Sequence, residues 1–307
     1  MSSKKALISG VTGQDGAYLA KLLLSKGYKV FGTFRRTSTP NFWRLQYTDV
    51  YSKINLIPAD LTDMGSLINA MKISDPDEVY NMAAMSFVRT AFEQPVGNSH
   101  STGTAVTRFL ESIKSINPNV KFYQASSSEM FGNSNVDFQN EQTPFSPASP
   151  YAAAKLYAHW ITKIYQEAYD MFAVSGILFN HESPIRGLEF VTRKITNAAA
   201  QIKLGLKKDI SIGNLQSKRD WGYAPEYMEA IYLMMQQDKP ETYVVSTGET
   251  YSVEELARVS FEILNLDWKD YVKTDEKYFR PLDINLLRGN YSKAKDELGW
   301  EPKTKFH

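Results

Sequence analysis

The chain has 307 residues, with 43% hydrophobic and 22% charged side chains, a composition typical of a soluble globular protein. A formal net charge of +1 does not indicate a nucleic-acid or membrane partner, and no apolar run approaches the ~18–20 residues of a membrane span. The absence of cysteine excludes disulfides and thiolate chemistry, and four scattered histidines do not indicate a metal site. We therefore expect a cytoplasmic globular enzyme without a bound metal.

Short runs rich in β-branched residues alternate with helical patterns through the first half of the chain. Strands are predicted at 6–9, 28–34, 54–58, 78–82, 120–125 and 173–178. Helices are predicted at 17–25, 64–73, 101–115 and 151–169, with a polar, proline-containing loop at 133–150. This alternation is typical of a parallel sheet with helices on both faces, where ligands bind at the carboxyl ends of the strands. We therefore predict an α/β, Rossmann-type, doubly wound fold.

After about residue 180 the alternation becomes less regular. Helices are predicted at 192–204, 225–237 and 252–264, the last opened by the capping-box spacing of Ser252 and Glu255, and short strands at 210–212 and 243–246. We interpret residues 1–175 as a cofactor-binding domain. Residues 176–307 would form mainly a smaller, interleaved C-terminal lobe that binds the substrate, with segments near 210–245 returning to the first domain.

A glycine-rich loop follows the first predicted strand and opens the first helix. Gly10, Gly13 and Gly16 have the spacing GxxGxxG, which lets the backbone approach a pyrophosphate at the N-terminus of the helix. The strand–turn–helix context distinguishes this loop from an ordinary glycine turn. The loop therefore predicts a dinucleotide site, with Gln14 and Asp15 also at the cofactor.

The end of the second strand indicates which dinucleotide is bound. Arg35 and Arg36 stand where an acidic residue would favour an unmodified ribose, and adjacent guanidinium groups suit a 2′-phosphate. We therefore predict NADP rather than NAD. Two solvated arginines on a loop that bind no ligand would give the same sequence pattern. Four residues that follow later strands are expected along the adenine, ribose and nicotinamide: Asp60, Leu61, Ala83 and Ala84.

Tyr151 and Lys155 stand four residues apart at the start of a predicted helix. Such residues are neighbours on one helix face, so the ammonium group can lower the pKa of the phenol and make it a usable base near neutral pH. The same spacing also occurs in ordinary amphipathic helices. It gains weight here because a hydroxyl and a carboxylate, Ser127 and Glu129, stand at the end of the preceding strand.

In combination, the glycine loop, the strand-end Ser-Ser-Glu and Tyr-x-x-x-Lys resemble the extended short-chain dehydrogenase/reductase family. Segments at 121–126, 179–184, 190–195 and 218–222 resemble the GDP-mannose 4,6-dehydratase family within it. This resemblance implies oxidation of a GDP-sugar at C4 with NADP, loss of water across C5 and C6, and hydride return to C6. Tyr151, aided by Lys155, would be the base at the C4 hydroxyl. Glu129 would be the general base and acid of the elimination, and Ser127 would bind the C4 oxygen.

The resemblance also implies binding roles outside the catalytic set. It adds His181 and Arg186 to the cofactor residues. It assigns six residues to the nucleotide-sugar: Ser86, Asn180, Lys194, Arg219, Arg280 and Asp283. It further implies a homodimer or homotetramer, in which the loop at 37–43 reaches the cofactor of a neighbouring subunit.

Three positions depart from the pattern of the family. Met85 replaces a polar residue, which we expect to alter sugar specificity, whereas Ile185 and Ala148 replace arginines and would alter cofactor or subunit contacts. Other functions therefore stay open, namely a dehydratase of a related GDP-sugar such as a GDP-heptose, a 4-keto reductase or epimerase, and a non-catalytic NADP-binding regulator. The intact catalytic set argues against the regulator, because a pure binder needs none of it.

Overall fold

The computed structural model describes residues 3–307. The first half contributes the strands β1 (Lys5–Ser9), β2 (Lys29–Phe34), β3 (Asn55–Pro58), β4 (Glu78–Asn81), β5 (Lys121–Ser127) and β6 (Ala173–Leu178). Its helices are α1 (Gln14–Ser25), α2 (Trp43–Tyr47), α3 (Met64–Ser74), α4 (Val88–Glu93), α5 (Pro95–Asn98), α6 (Ala105–Ile116) and α7 (Pro150–Tyr169). A π-helical segment, Ser99–Thr104, joins α5 to α6, so this helical stretch begins earlier than the predicted 101–115.

The second half alternates short strands with four helices. Its strands are β7 (Asn180–Glu182), β8 (Ile210–Ile212), β9 (Lys218–Arg219), β10 (Trp221–Tyr223), β11 (Tyr243–Val245), β12 (Tyr251–Ser252), β13 (Val272–Thr274) and β14 (Leu286–Leu287). Its helices are α8 (Val191–Lys203), α9 (Ala224–Met235), α10 (Val253–Glu262) and α11 (Ser292–Leu298). The capping box predicted at Ser252 and Glu255 is present at the start of α10. Within residues 3–307, none of the helices combines the length and apolar character that a membrane crossing requires.

Seven parallel strands form the main sheet in the order β11-β6-β5-β4-β1-β2-β3. The chain runs outward from β1 to β3 and then crosses back to β4, so the direction of winding reverses between β1 and β4. A crevice opens outside the carboxyl ends of strands at such a reversal. The predicted doubly wound, Rossmann-type fold is confirmed.

Both faces of the main sheet are buried, which explains the nearly continuous apolar runs of its strands. Successive side chains of a strand point to opposite faces. Accordingly, Ala6 and Ile8 pack in the cluster with α1 and α9, whereas Leu7 packs in the cluster with α3 and α6. The sheet is therefore a rigid platform that fixes the ends of β1, β4 and β5 relative to one another.

The smaller lobe lies over the carboxyl ends of the strands and has its own apolar cluster, which includes Ile195 and Phe261 of α8 and α10. The segment at 210–212, expected to return to the first domain, instead pairs with β13 inside this lobe. Later parts of the 210–245 range do reach the sheet, because α9 packs on α1 and β11 pairs with β6. A strand of three residues carries no local information about which sheet it will join. The expected domain limit at 175 falls within β6, and residues 1–2 lie outside the described chain.

Candidate active site

Two adjoining cavities occupy the crevice at the carboxyl ends of the strands. The catalytic cavity, of about 300 Å³, lies between β5, α7 and the smaller lobe. The cofactor cavity, of about 370 Å³, lies against the glycine loop and the ends of β2 and β4. Asp15, Arg186 and Glu189 line both cavities, so the two are continuous. Among residues 3–307, His, Asp and Glu side chains form no cluster of three that could hold a metal ion.

The glycine loop leaves space that a larger residue would fill. Gly10 has φ +71°, and a Cβ there would lie 2.8 Å from Ala83 Cα. A Cβ on Gly16 would lie 2.4 Å from the Gly10 carbonyl oxygen. Gly13 caps α1 without a side-chain hydrogen bond, so the first N–H groups of the helix stay available at the cavity. These features fit the pyrophosphate of a dinucleotide.

Tyr151 and Lys155 reach the catalytic cavity from the first turns of α7. This helix begins at Pro150, where the Ser149 hydroxyl accepts a hydrogen bond of 3.1 Å from the Ala152 N–H. Both side chains are buried, and Lys155 Nζ donates to the Ala125 carbonyl oxygen at 2.6 Å. That contact joins α7 to the end of β5, which carries the hydroxyl and carboxylate of the site.

The electrostatics of this pair differ from the sequence-based expectation. Burial raises the pKa of Tyr151 well above its ordinary value, only partly offset by a hydrogen bond with Ser127, and the charge of Glu129 raises this pKa further. Burial also lowers the pKa of Lys155 to about 8. Lys155 is therefore not what sets the phenol pKa in this state, because its ammonium group is engaged at a backbone carbonyl and the cost of burying the phenolate dominates.

Ser127 and Glu129 stand where β5 runs into a 3₁₀ turn, Ser128–Phe131. The Ser127 hydroxyl accepts from the Glu129 N–H at 3.3 Å, and both residues line the catalytic cavity. Arg280 approaches Glu129 from the smaller lobe, with Nη1 at 3.3 Å and 3.4 Å from the two carboxylate oxygens. The buried carboxylate thus has a guanidinium group against it at the cavity wall.

Arg219 and Asp283 form a second charged pair in the wall contributed by the lobe. Arg219 Nη2 lies 3.6 Å from Asp283 Oδ1, and its Nη1 donates to the Ile284 carbonyl oxygen at 2.8 Å. Asp283 Oδ2 accepts from Ser217 at 3.0 Å and from Asn214 at 3.1 Å. The guanidinium group is therefore fixed in orientation before any ligand binds.

The remaining residues expected at the sugar nucleotide, Ser86, Asn180 and Lys194, also line the catalytic cavity. Lys194 Nζ donates to the Ser211 carbonyl oxygen at 2.7 Å and lies 3.8 Å from the centre of the Tyr278 ring. Burial lowers the pKa of Lys194, and neighbouring cations lower it further. An anion entering this cavity would meet Lys194, Arg219 and Arg280 on one side.

The cofactor cavity contains most of the residues expected there. It is lined by Gly10, Gly13, Gln14, Asp15, Gly16, Arg35, Asp60, Leu61, Ala83, Ala84 and Arg186. Arg35 and Arg36 are both exposed just beyond the end of β2, and Arg36 does not contribute to this lining. Met85 lines this cavity and not the catalytic one. It therefore lies away from the residues expected at the sugar, whose specificity we expected it to alter.

His181 lines the catalytic cavity and pairs with Asp15 from α1, with Nε2 at 3.1 Å from Oδ2. Burial opposes charge on both groups. The mutual attraction nevertheless raises the pKa of His181 and holds that of Asp15 well below its ordinary range. His181 Nδ1 donates to the Phe179 carbonyl oxygen at 2.7 Å, which fixes the ring. The expected cofactor residue is therefore a link between the glycine loop and the smaller lobe.

Sequence reasoning missed Arg44, Glu189 and Phe190 in the lining of the cofactor cavity. Arg44 lies in α2, within a stretch that reads as a polar loop, and Glu189 and Phe190 precede α8. No local pattern marks these positions, because they reach the cavity through contacts between segments far apart in the chain.

The family model described as GDP-mannose 4,6 dehydratase matches residues 7–307. GDP-mannose 4,6 dehydratase 2 of Arabidopsis thaliana is 51% identical, covering 99% of this chain and 84% of that protein. GDP-mannose 4,6 dehydratase of Homo sapiens is 44% identical, covering 98% and 88%. A crystal structure of dTDP-glucose 4,6-dehydratase from Bacillus anthracis in complex with NAD superposes with a TM-score of 0.85 at 21% identity, covering 99% and 93%. UDP-glucose 4-epimerase of Thermotoga maritima gives 0.86 at 22% identity, covering 98% and 94%. At these identities the two solved structures show a shared fold.

Proposed function

The chain belongs to the GDP-mannose 4,6-dehydratase family, and we propose on that basis that it converts GDP-D-mannose to GDP-4-keto-6-deoxy-D-mannose. One observation carries the proposal beyond family membership. Tyr151, Ser127 and Glu129 line one cavity that continues into a glycine-lined cofactor cavity. A hydroxyl pair alone would serve a simple oxidation, whereas the added buried carboxylate serves an elimination.

A bound nicotinamide dinucleotide would supply the redox chemistry, accepting a hydride from C4 and returning it to C6. We propose NADP as this cofactor. Arg35 lines the cavity at the end of β2, beside Asp60, and no acidic residue occupies positions 34–38. A guanidinium group there suits a 2′-phosphate by charge and by bidentate geometry.

The side chains of the catalytic cavity carry the proton transfers. Tyr151 takes the proton of the C4 hydroxyl while Ser127 holds the C4 oxygen. The C4 ketone acidifies the hydrogen on C5, and Glu129 removes it as a proton. Glu129 then protonates the departing C6 hydroxyl, which leaves as water. When C6 is reduced, C5 regains a proton, which balances the one that Tyr151 accepted.

The wall formed by the lobe supplies the cations for a nucleoside diphosphate. We propose that Lys194 and Arg219 face the diphosphate, with Asn180 and Ser86 as neutral partners of the sugar nucleotide. Asp283 is bonded to Arg219, which supports a role in orienting that guanidinium group. Arg280 would contact both substrate and Glu129, since it already lies against the carboxylate.

The proposed reaction is tested by incubating the protein with GDP-mannose and catalytic NADP⁺. We expect a 4-keto-6-deoxy product without net accumulation of NADPH. Glu129→Gln should abolish exchange of the C5 hydrogen with solvent, while Glu167→Gln, at an exposed position of α7, should leave it unchanged. Wild-type exchange in the Glu129 variant would place the base elsewhere. Turnover of a GDP-heptose without turnover of GDP-mannose would overturn the assignment of GDP-mannose as the substrate.

We also propose that the chain acts as a homodimer or homotetramer. Tyr157, Trp160 and Ile164 are each at least 43% exposed at helical spacing on α7, which supports burial of this strip in an assembly. Light scattering measures the molar mass of the protein under assay conditions. A monomer that turns over the substrate would contradict this proposal. The cytoplasmic location expected from the sequence stays a prediction.

A further inference from the structure

Asp220 is a buried carboxylate that lines neither the catalytic nor the cofactor cavity. It lies between β9 and β10 and is 0% exposed. Its Oδ1 accepts from the N–H and the hydroxyl of Thr247, at 2.8 Å and 2.7 Å. Its Oδ2 accepts from the N–H groups of Gly248 at 2.9 Å and Gly289 at 3.3 Å. Burial raises the pKa of Asp220 to about 6, although these hydrogen bonds oppose the rise. Four donors on one buried side chain indicate a fixed anchor, because a buried carboxylate without them would be costly.

The donors belong to two loops that adjoin the partners of β9. The loop with Thr247 joins β11, at the edge of the main sheet, to β12, and the loop with Gly289 follows β14. Strand β9 lies between β12 and β14, so the backbone of Arg219 is paired on both sides. The Asp220 N–H also donates to the Leu287 carbonyl oxygen of β14 at 3.1 Å. Asp220 therefore ties together the segments that hold the backbone of Arg219.

The residues on either side of Asp220 both line the catalytic cavity. Arg219 ends β9, and Trp221 begins β10. Strand β10 pairs with β7, where Trp221 lies opposite Asn180, and Asn180 also lines the cavity. A shift of the backbone at Asp220 would therefore displace two of the proposed substrate contacts, Arg219 and Asn180, together.

We infer that Asp220 is a positioning residue for the nucleotide-sugar: through its hydrogen bonds to the two loops it holds Arg219 and Asn180 in place, and it touches neither substrate nor cofactor. This inference rests on the proposed function, in which Arg219 and Asn180 bind the GDP-sugar. The groups that transfer protons belong to the end of β5 and to α7, and the glycine loop follows β1. Loss of the anchor should therefore weaken substrate binding more than the chemical steps or dinucleotide binding.

Asp220→Asn tests the anchor, because the amide keeps the shape of the side chain but its NH₂ group cannot accept from backbone N–H groups. In calorimetric titrations, we expect GDP to bind about tenfold more weakly, and NADP⁺ and guanosine within about twofold of wild type. Guanosine lacks the diphosphate that Arg219 faces. KM for GDP-mannose should rise about tenfold, with kcat changed by less than about threefold. The control Asp63→Asn, at a carboxylate bonded to two backbone N–H groups at the start of α3, should leave these values unchanged.

A pair of substitutions at Thr247 tests the same anchor from the donor side. Thr247→Val removes the hydroxyl that donates to Asp220, and should weaken GDP binding by about threefold. Thr247→Ser keeps that hydroxyl and should match wild type. Thr247 lines neither cavity, so a difference between the two variants cannot come from a direct contact with the ligand.

A double-mutant cycle tests whether Asp220 acts through Arg219. Arg219→Gln should weaken GDP binding by a smaller factor in the Asp220→Asn protein than in wild type, because residues that act through one contact are coupled. Two losses that multiply independently would show that Asp220 does not act through Arg219, and would overturn the inference.

Unchanged GDP affinity in Asp220→Asn, or an equal loss for guanosine or NADP⁺, would also overturn it. Unfolding temperatures without ligand verify that each variant is folded. If Asp220→Asn does not fold, equal GDP affinities of Thr247→Val and Thr247→Ser overturn the inference instead. A wild-type protein that binds neither GDP nor GDP-mannose would overturn the proposed function as well, whereas normal wild-type binding with unaffected variants overturns the role of Asp220 alone.

Discussion

His159 provides a quantitative test of how the active-site helix is held to the sheet. It lies on α7 one turn beyond Lys155, is 5% exposed, and its Nδ1 lies 3.0 Å from the Ser126 hydroxyl at the end of β5. Its ring packs edge-on against Phe145, with centroids 5.3 Å apart. Burial, and to a smaller extent the charge of Lys163, lowers the pKa of His159 to about 4.

Because the folded pKa lies below the ordinary value of 6.5, the unfolded chain binds this proton first. The stability that depends on neutral His159 is therefore fully present above about pH 6.5 and is lost as the pH falls toward 4. The two pKa values imply a loss of about 2 kcal/mol between pH 7 and pH 5. His159→Phe keeps the ring and cannot titrate, but it leaves the Ser126 hydroxyl without its partner, at a cost of about 1 kcal/mol.

Urea unfolding followed by circular dichroism at pH 7 and pH 5 measures both effects. We expect His159→Phe to be less stable than wild type at pH 7, and the difference to vanish or reverse at pH 5. The control His100→Gln, at an exposed position, should keep the wild-type dependence on pH. Parallel shifts of the wild-type and His159→Phe midpoints between the two pH values would refute the reasoning, since other titrating groups are common to both proteins.

Two further substitutions test the backbone and the buried cation. Gly132→Ala would place a Cβ 1.7 Å from the Ser146 carbonyl oxygen at φ +58°, so we expect a loss of at least about 3 kcal/mol in urea unfolding. Gly27→Ala, at φ +82° in open space, should cost only about 1–2 kcal/mol, and equal losses would contradict the steric argument. Lys155→Met should raise the unfolding temperature at pH 7, because it removes a buried charge. The lowered pKa of Lys155 means that its stability contribution is present above pH 10.5 and lost as the pH falls through about 8. A lower unfolding temperature would show that the bond to Ala125 outweighs the burial of charge.

Local sequence patterns were sufficient for the main sheet and for the elements that carry the chemistry. The start of α7 is an example, because Pro150 suits the first position of a helix and Ser149 caps it. The glycine loop is another, since its spacing and its place after a strand define both a turn and an anion site. In each case the physical cause acts over a few neighbouring residues.

Contacts across the crevice could not be predicted in this way. Arg280 meets Glu129 across a sequence separation of 151 residues, and Arg44 reaches the Ile185 carbonyl across 141. No single-sequence pattern reports such pairs, because they form only when the lobe is seated over the carboxyl ends of the strands.

The sequence by itself determined the fold class and the family and predicted the dinucleotide loop and the catalytic set, because short-range backbone geometry and residue chemistry carry that information. Only the tertiary structure decided which cations face the cofactor, how Arg219 is oriented and what lies against Glu129. Those features depend on burial and on distances between segments far apart in the chain, and these exist only once the two parts pack together.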